Sequence, residues 1–139
     1  MTTPIEEELG LREKSDRYDL VGLVIGSAMK VHTTLGPGFL ESVYKKALVH
    51  ELRKSGFQAE IEQRSTVMYD GIVVGEFIAD IIVDHMLVAE LKAIENLCRV
   101  HEVQVVNYLT ATGLDHGLLL NFGKQSLEFR RKFRTRASP

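Results

Sequence analysis

The sequence predicts a single α/β domain, and three observations favour this fold class. Apolar residues recur at helical spacing in two segments of the chain. Short runs rich in Ile, Val and Leu, bounded by turn residues, are typical of strands. The chain has 139 residues, of which 45% are hydrophobic and 26% are charged, enough for one core and too few for two. We therefore expect one domain over residues 1–139, with flexible ends at 1–15 and 135–139.

Two helices come first in the predicted order of elements. The first runs from about Asp16 to Thr34, with Ser15 or Asp16 as its N-cap, and the turn "LGPGF" ends it. The second ends at Ser55 and Gly56, with Gly56 as the left-handed C′ residue. The apolar stripes that predict these helices are Leu20, Val24, Ala28, Val31 and Leu35 in the first, and Leu40, Val43, Tyr44, Ala47, Leu48 and Leu52 in the second.

Strands follow in two groups, separated by a third helix. A tight turn at Asp70-Gly71 joins the first pair of strands. The third helix runs from about Leu97 to Thr112 and ends at Gly113. After it, "HGLLLNFG" predicts a short buried strand and "SLEFRRKF" predicts a final edge strand.

The stretch "FIADIIVDHMLVAELK" carries charges inside runs that are otherwise apolar, and it predicts a β-hairpin. A three-residue loop, with Val83 opposite Leu87, places Asp80 opposite Glu90 and puts Lys92 on the same side. A two-residue loop would push one carboxylate into the core, so we predict the longer loop. It leaves one wholly apolar face, made of Phe77, Ala79, Ile81, Val83, Leu87, Ala89, Leu91 and Ala93.

Two carboxylates placed opposite each other on neighbouring strands have Cβ atoms ~5 Å apart and repel each other. A positive group should compensate, and Lys92 is one candidate. A divalent cation is another, because Mg²⁺ is held by one or two carboxylates and keeps several waters. The spacing also fits a half-exposed sheet face whose carboxylates pair with lysines or arginines.

The third helix presents polar groups at regular spacing. His101, Gln104 and Tyr108 stand at i, i+3 and i+7 and so share one face. If this face points at Asp80 and Glu90, it supplies hydrogen-bond donors to a bound water or phosphate. An exposed polar stripe on a surface helix fits the same spacing.

Glu41 is a third candidate acid. It lies in the first turn of the second helix, where a carboxylate at the surface would stabilise the helix dipole. Tyr44, Leu48 and Leu52 follow it along the same apolar stripe. We therefore expect Glu41 to point inward and to approach the carboxylates of the hairpin.

Composition and charge exclude several classes of protein. The net charge of −2 argues against a wholly basic nucleic-acid binder. Cys98 is the only cysteine, which excludes a disulfide framework and favours a reducing, cytoplasmic compartment. The start "MTTPIEEELG" does not resemble a signal peptide, and "LVGLVIGSAM" is too short to cross a bilayer. We expect the histidines outside the third helix at surface or capping positions: His32, His50, His85 and His116.

The C-terminus is basic. Such a tail is either a solvated end or a phosphate-binding surface, and charge alone does not decide between them. Its cations are Lys124, Arg130, Arg131, Lys132, Arg134 and Arg136.

Five motifs in order resemble one family over nearly the whole chain, from about residue 18 to 133. They are "VHTTLGPGFLESVYKKAL", which contains the Gly-x-x-Glu-x-x-Tyr signature, then "ADIIVD", "ELKA", "QVVNYL" and "GLLLNFG". The chain is similar in these motifs to the GxxExxY proteins, a family placed in the PD-(D/E)XK nuclease superfamily. The resemblance implies a mixed central sheet flanked by helices in αβββαβ order, here with an extra N-terminal helix.

The resemblance also assigns roles to the hairpin. Asp80 matches the Asp of the PD motif, with Ala79 in place of its Pro, and Glu90-Leu91-Lys92 matches the (D/E)XK element. The carboxylates of Asp80 and Glu90 and the backbone carbonyl of Leu91 would then bind Mg²⁺ or Mn²⁺. Lys92 would orient the attacking water and stabilise the charge that builds on phosphorus.

Two helices carry the remaining matches. Glu41 resembles the extra acid that several superfamily members have on an early helix, and it would reach the metal directly or through a bound water. Gln104 and Tyr108 resemble the QxxxY motif and would position a phosphate.

The sequence thus predicts a metal-dependent hydrolase of phosphodiester bonds in DNA or RNA. One alternative is a non-enzymatic module of the same fold that binds nucleic acid or a partner protein. A third is a homodimeric accessory protein whose carboxylate face is a salt-bridge network.

Overall fold

The structure, a computed structural model, describes residues 4–134, with side chains described from Asp19 onward. Its elements are α1 (Pro4–Leu35), α2 (Glu41–Lys54), β1 (Ala59–Tyr69), β2 (Ile72–Val83), β3 (Leu87–Lys92), α3 (Arg99–Thr112), β4 (His116–Asn121) and β5 (Glu128–Phe133).

The five strands form one sheet in the order β1-β2-β3-β4-β5. Only the β3–β4 pair is parallel, so the described sheet is mixed. The crossover between these two strands contains α3. This α/β architecture confirms the predicted fold class and the predicted order of elements. Within the described residues, no helix has both the length and the apolar content that crossing a bilayer requires.

The main core lies between the sheet and the two N-terminal helices, and the predicted stripes supply most of it. Its helical part is Leu20, Val24, Ile25, Ala28, Val31, Tyr44, Leu48, Val49 and Leu52. Leu40 and Val43 were expected in the stripe of α2, but they are 78% and 37% exposed. Leu40 precedes the first helical residue in extended conformation, so helical spacing does not apply to it.

The start of the first helix differs from the prediction. The assigned helix continues back to Pro4, and its dihedral angles are interrupted at Asp19, where φ is −138°. The Asp19 carboxylate lies over Gly22, in the space that a Cβ there would occupy, as an N-cap side chain does. The N-cap prediction at Ser15 or Asp16, whose side chains lie outside the described part, is therefore wrong. Residues 1–3 and 135–139, both within the ends predicted to be flexible, also lie outside it.

The predicted register of the central hairpin is confirmed. Val83 pairs with Leu87 across a three-residue connection, in which Asp84 and His85 have positive φ angles of 49° and 54°. The β1–β2 turn is also as predicted, because Asp70 and Gly71 both have positive φ.

The predicted single apolar face of this hairpin is wrong. Ile81 packs in the core under α1 and α2, whereas Ala79 packs with Val88 and Leu109 on the side of α3. Phe77 is also on that side, where it stacks on a ring of α3. Residues two apart share a face only in a regular strand, so β2 changes its facing between Ala79 and Ile81.

The remaining predictions for the second half of the chain are mostly confirmed. α3 ends at Gly113 in the left-handed conformation, β4 is buried and β5 is an edge strand. His32 corrects the expectation of surface histidines: it is 7% exposed, and its Nε2 lies 2.8 Å from the carbonyl oxygen of Lys124.

Candidate active site

Asp80 and Glu90 stand side by side where the β2–β3 ladder ends. The paired backbone residues of this ladder run from Val83–Leu87 to Ile81–Ala89. Beyond them, Asp80 Oδ2 accepts a hydrogen bond from the Leu91 N–H at 2.9 Å, and Glu90 Oε1 accepts one from the Asp80 N–H at 3.3 Å. Carboxylates thus take the place of backbone partners at this end of the hairpin.

The two acids are poorly compensated. Glu90 is only 7% exposed. Burial, and then the charge of Asp80, raise the pKa of Glu90 to about 9, and the opposing charge of Lys92 does not offset them. Without a cation, the site therefore favours one proton on this pair of carboxyl groups.

Lys45 is a site residue that the sequence argument missed. Its Nζ lies 3.4 Å from Asp80 Oδ1 and 3.5 Å from Glu62 Oε1. Desolvation alone would lower the pKa of Lys45, but the two carboxylates overcome it and raise that pKa. The available signal was its position four residues after Glu41, which puts both on one face of α2.

Glu41 lies close enough to Asp80 for their charges to interact. It is the first residue of α2 and only partly exposed. Burial, and then the charge of Asp80, raise the pKa of Glu41, while Lys92 and Lys45 act in the opposite direction. Across the described residues, no three His, Cys, Asp or Glu side chains converge closely enough to hold one metal ion. Glu41 therefore stands outside the carboxylate pair rather than in direct contact as a third ligand.

The three polar residues predicted to form one stripe on α3 lie in different surroundings. Tyr108 lies at the site: its ring stacks on Phe77 with centroids 4.3 Å apart, and burial, then the charges of Glu90 and Asp80, raise its pKa. Gln104 is exposed. His101 is used at the start of the helix, where its Nδ1 accepts the Cys98 N–H at 3.1 Å.

The Gly-x-x-Glu-x-x-Tyr segment fixes where α2 begins. The buried Tyr44 hydroxyl donates to the carbonyl of Gly36 and accepts the Phe39 N–H at 3.1 Å. Its ring stacks on Phe122, with centroids 4.6 Å apart. Gly38 has φ of +111°, which favours glycine. The tyrosine thus ties the turn before α2 to the core and so places the helix start at the site.

Asn121 holds the chain just after Lys92. Its Oδ1 accepts the Ile94 N–H, and its Nδ2 donates to the Ile94 carbonyl, both at 3.0 Å. A Cβ on Gly123 would lie 2.2 Å from that carbonyl oxygen, so only glycine permits this approach. The "NFG" motif therefore positions the end of β3, which carries Lys92.

The donor set fits a divalent cation. Asp80 and Glu90 offer adjacent hard oxygen donors, and their mutual repulsion in a buried site is what a doubly charged ion relieves. The Leu91 side chain is fully buried, so only its backbone faces this end of the hairpin.

Three comparisons with known proteins bear on this site. A family model described as "PD-(D/E)XK nuclease superfamily" matches residues 18–132. A solved structure, "Crystal structure of SSO0001", is similar with a TM-score of 0.55 and 19% sequence identity over 69% of this chain. This chain spans 50% of that one, and at this identity the likeness shows the fold alone. No curated protein matches.

Proposed function

Because the chain belongs to the PD-(D/E)XK nuclease superfamily, we propose that it is a metal-dependent nuclease that hydrolyses phosphodiester bonds of DNA or RNA. The observation that carries this proposal is the pair of Asp80 and the buried Glu90, with Lys92 two residues after Glu90 on β3. Strongly perturbed carboxyl groups beside a lysine are typical of catalytic sites. The Gly-x-x-Glu-x-x-Tyr segment further supports assignment to the GxxExxY proteins within this superfamily.

In this proposal, Asp80 and Glu90 hold Mg²⁺ or Mn²⁺ together with the backbone carbonyl of Leu91. Glu41 joins them through a bound water, and its raised pKa supports its proximity to the pair. When bound, a divalent cation supplies positive charge against the phosphate and acidifies a water molecule.

Lys92 orients the attacking water and stabilises negative charge on the phosphate. Its charge acts on both Glu41 and Glu90, which supports an electrostatic role. Tyr108, held against Phe77, and the exposed Gln104 bind a phosphate oxygen from the side of α3. The single exposed cysteine, Cys98, supports a reducing compartment such as the cytoplasm.

The test is cleavage of labelled substrates by the full chain in Mg²⁺ or Mn²⁺. Single-stranded and duplex DNA and RNA, labelled at either end, separate the nucleic-acid classes and distinguish end-directed from internal cleavage. We expect Asp80→Asn, Glu90→Gln and Lys92→Ala each to slow cleavage by about 100-fold or more, the magnitude typical of lost charge stabilisation. Glu76→Gln is the matched control, because Glu76 is exposed and pairs with Arg64 on the distant part of the β1–β2 hairpin.

Two results contradict the proposal: no cleavage of any substrate in either metal, or equal activity of the three variants and the wild type. Binding without cleavage would favour the non-enzymatic module of the same fold. Light scattering on the same samples would identify the homodimer that is the third alternative.

A further inference from the structure

A groove lies between one face of α2 and strand β1, and it begins beside the carboxylate pair. Its volume is about 610 Å³. Lys45, which contacts Asp80, lines its near end, and Arg53 and Lys54 line the far end. The rise of an α-helix makes the distance from Lys45 to Lys54 about 13 Å along the axis. The groove is therefore an elongated path that ends at the site.

The walls of the groove are positive. The side chains of Lys46 and His50 line it, and neither side chain makes an ion pair or hydrogen bond with another described residue. Arg53 donates to the carbonyl oxygen of Ala59 at 2.8 Å, which leaves its charge uncompensated. Glu62 is the one acid among the lining residues described, and Lys45 already contacts it. Lys54 pairs with Glu51 at 3.1 Å. The lysine and arginine left to bind anions are therefore Lys46 and Arg53.

The floor of the groove is apolar. Val49 is buried beneath it, and the side chain of Ile61 on β1 is 42% exposed beside it. Phosphates can therefore contact the cations while sugars or bases cover the apolar strip. Single-strand sites combine a positive groove with rings on which bases stack, and His50 supplies a ring in the lining of this groove.

We propose that this groove binds one single strand of nucleic acid and leads it to Asp80 and Glu90. A duplex is too wide to enter the space between a helix and a strand, and it would contact only the rim. The inference deepens the proposed function by naming the form of the substrate and its path. Its test measures binding without metal, so that it can fail independently of cleavage.

The experiment is fluorescence anisotropy in EDTA with labelled dodecamers of deoxythymidine or uridine, titrated at several salt concentrations. Lys46→Ala with Arg53→Ala removes two groove cations that have no acidic partner among the described residues. We expect about tenfold weaker binding at low salt and a salt slope lower by about 1.4, since each phosphate contact on a single strand contributes about 0.7. The two dodecamers distinguish DNA from RNA.

Lys30→Ala with Lys124→Ala is the matched control, because it removes the same charge from residues outside the groove. The inference is wrong if this control weakens binding as much as the groove variant does, or if the groove variant binds like the wild type. Equal binding of a duplex, equally sensitive to the groove variant, also contradicts it. If the double variant does not fold by circular dichroism, Lys46→Gln alone must lower the slope by about 0.7.

Lost cleavage with intact binding would contradict the proposed function and leave the groove in place. If cleavage is intact and the groove variant does not weaken binding, the groove inference is wrong and the proposed function stands.

Discussion

Two charged regions of the molecule differ in how their charged side chains are paired. The first is the β5 edge, which we define as strand β5 with its partners on α3 and the neighbouring loops. There, Lys132 lies 2.9 Å from Glu102, and Arg134 lies 2.9 Å from Asp115. The second is the carboxylate site, where two acids adjoin and the lysine contact is longer, at 3.4 Å.

The pKa directions show the difference. The hydrogen bond from Lys132 lowers the pKa of Glu102. Desolvation would raise the pKa of Glu128, but hydrogen bonds from Asn121 and Leu97 and nearby cations lower it. Burial instead raises the pKa of Glu90. Most cations of the basic run thus have acidic partners, whereas Glu90 of the hairpin is buried beside a second acid, which is typical of functional sites.

This comparison bears on the basic tail. The sequence left it open between a solvated end and a phosphate-binding surface, and phosphate binding there stays a prediction. Four of its cations already have carboxylate partners: Lys124, Arg130, Lys132 and Arg134. Arg131 is exposed on the edge strand, and Arg136 lies outside the described residues.

The largest effect that sharpens this comparison is expected from Glu90→Gln in the absence of metal. The folded-state pKa of Glu90 is raised from 4.5 to about 9, so the folded protein holds a proton that the unfolded chain has lost. The stability due to this group is therefore full below the unfolded pKa and is lost as pH rises through the folded one. Glutamine mimics the protonated acid, so the variant should melt higher at pH 8 in EDTA and depend less on pH.

Thermal melting from pH 5 to pH 9 measures this effect. For a domain of this size, each kcal/mol in the free energy of unfolding shifts the melting temperature by about 3 to 5 °C. Glu128→Gln is the matched control with the opposite sign. The lowered pKa of Glu128 stabilises the fold above its unfolded pKa, so this variant should melt lower at neutral pH. A lower melting temperature for Glu90→Gln at pH 8 would show that the two regions do not differ as proposed.

A smaller effect is expected from Glu41→Gln, and it concerns metal. Mg²⁺ or Mn²⁺ at millimolar concentration should raise the melting temperature of the wild type, because ligand that binds only the folded state stabilises it. Glu41→Gln should remove most of that rise while the fold stays intact. Loss of the carboxylate from the first turn of α2 costs only about 0.3 to 1 kcal/mol.

Glu51→Gln provides the control, since Glu51 lies near the other end of α2 and pairs with Lys30 and Lys54. If the Glu41 variant keeps the full metal-dependent rise, or if the wild type shows none, the third acid has no metal role. The non-enzymatic alternative would then be favoured.

Much of this arrangement could be predicted because it follows from local rules. The register of the hairpin was predictable, since a pairing shifted by one residue would turn one carboxylate toward the apolar core face. Glu41 could be placed near the site because Tyr44, Leu48 and Leu52 fix the inward face of its helix, and all three are buried.

Other features depend on contacts between residues that are far apart in the sequence, which rules for local structure do not predict. The alternation rule assumes a regular strand. The Asp80 carboxylate accepts a hydrogen bond from the Leu91 N–H instead, and the side chains of β2 change from one face of the sheet to the other at that point. Lys45 reaches Asp80 only because α2 packs against the hairpin. His32 is buried because a carbonyl 92 residues away meets its ring.

The smallest effect is expected from the β5 edge itself, with Arg130, Lys132 and Arg134 changed to Ala together. Exposed ion pairs contribute about 0 to 1 kcal/mol each, so the melting temperature should fall by only a few degrees. These cations already contact acids, so a phosphate must displace Glu128, Glu102 or Asp115 before it can bind. Binding of the deoxythymidine dodecamer should therefore keep its salt slope, while the Lys46 and Arg53 variant loses about 1.4. If the β5 variant loses as much slope as the groove variant, phosphates do reach this edge, and its ion pairs are exchangeable partners rather than satisfied ones.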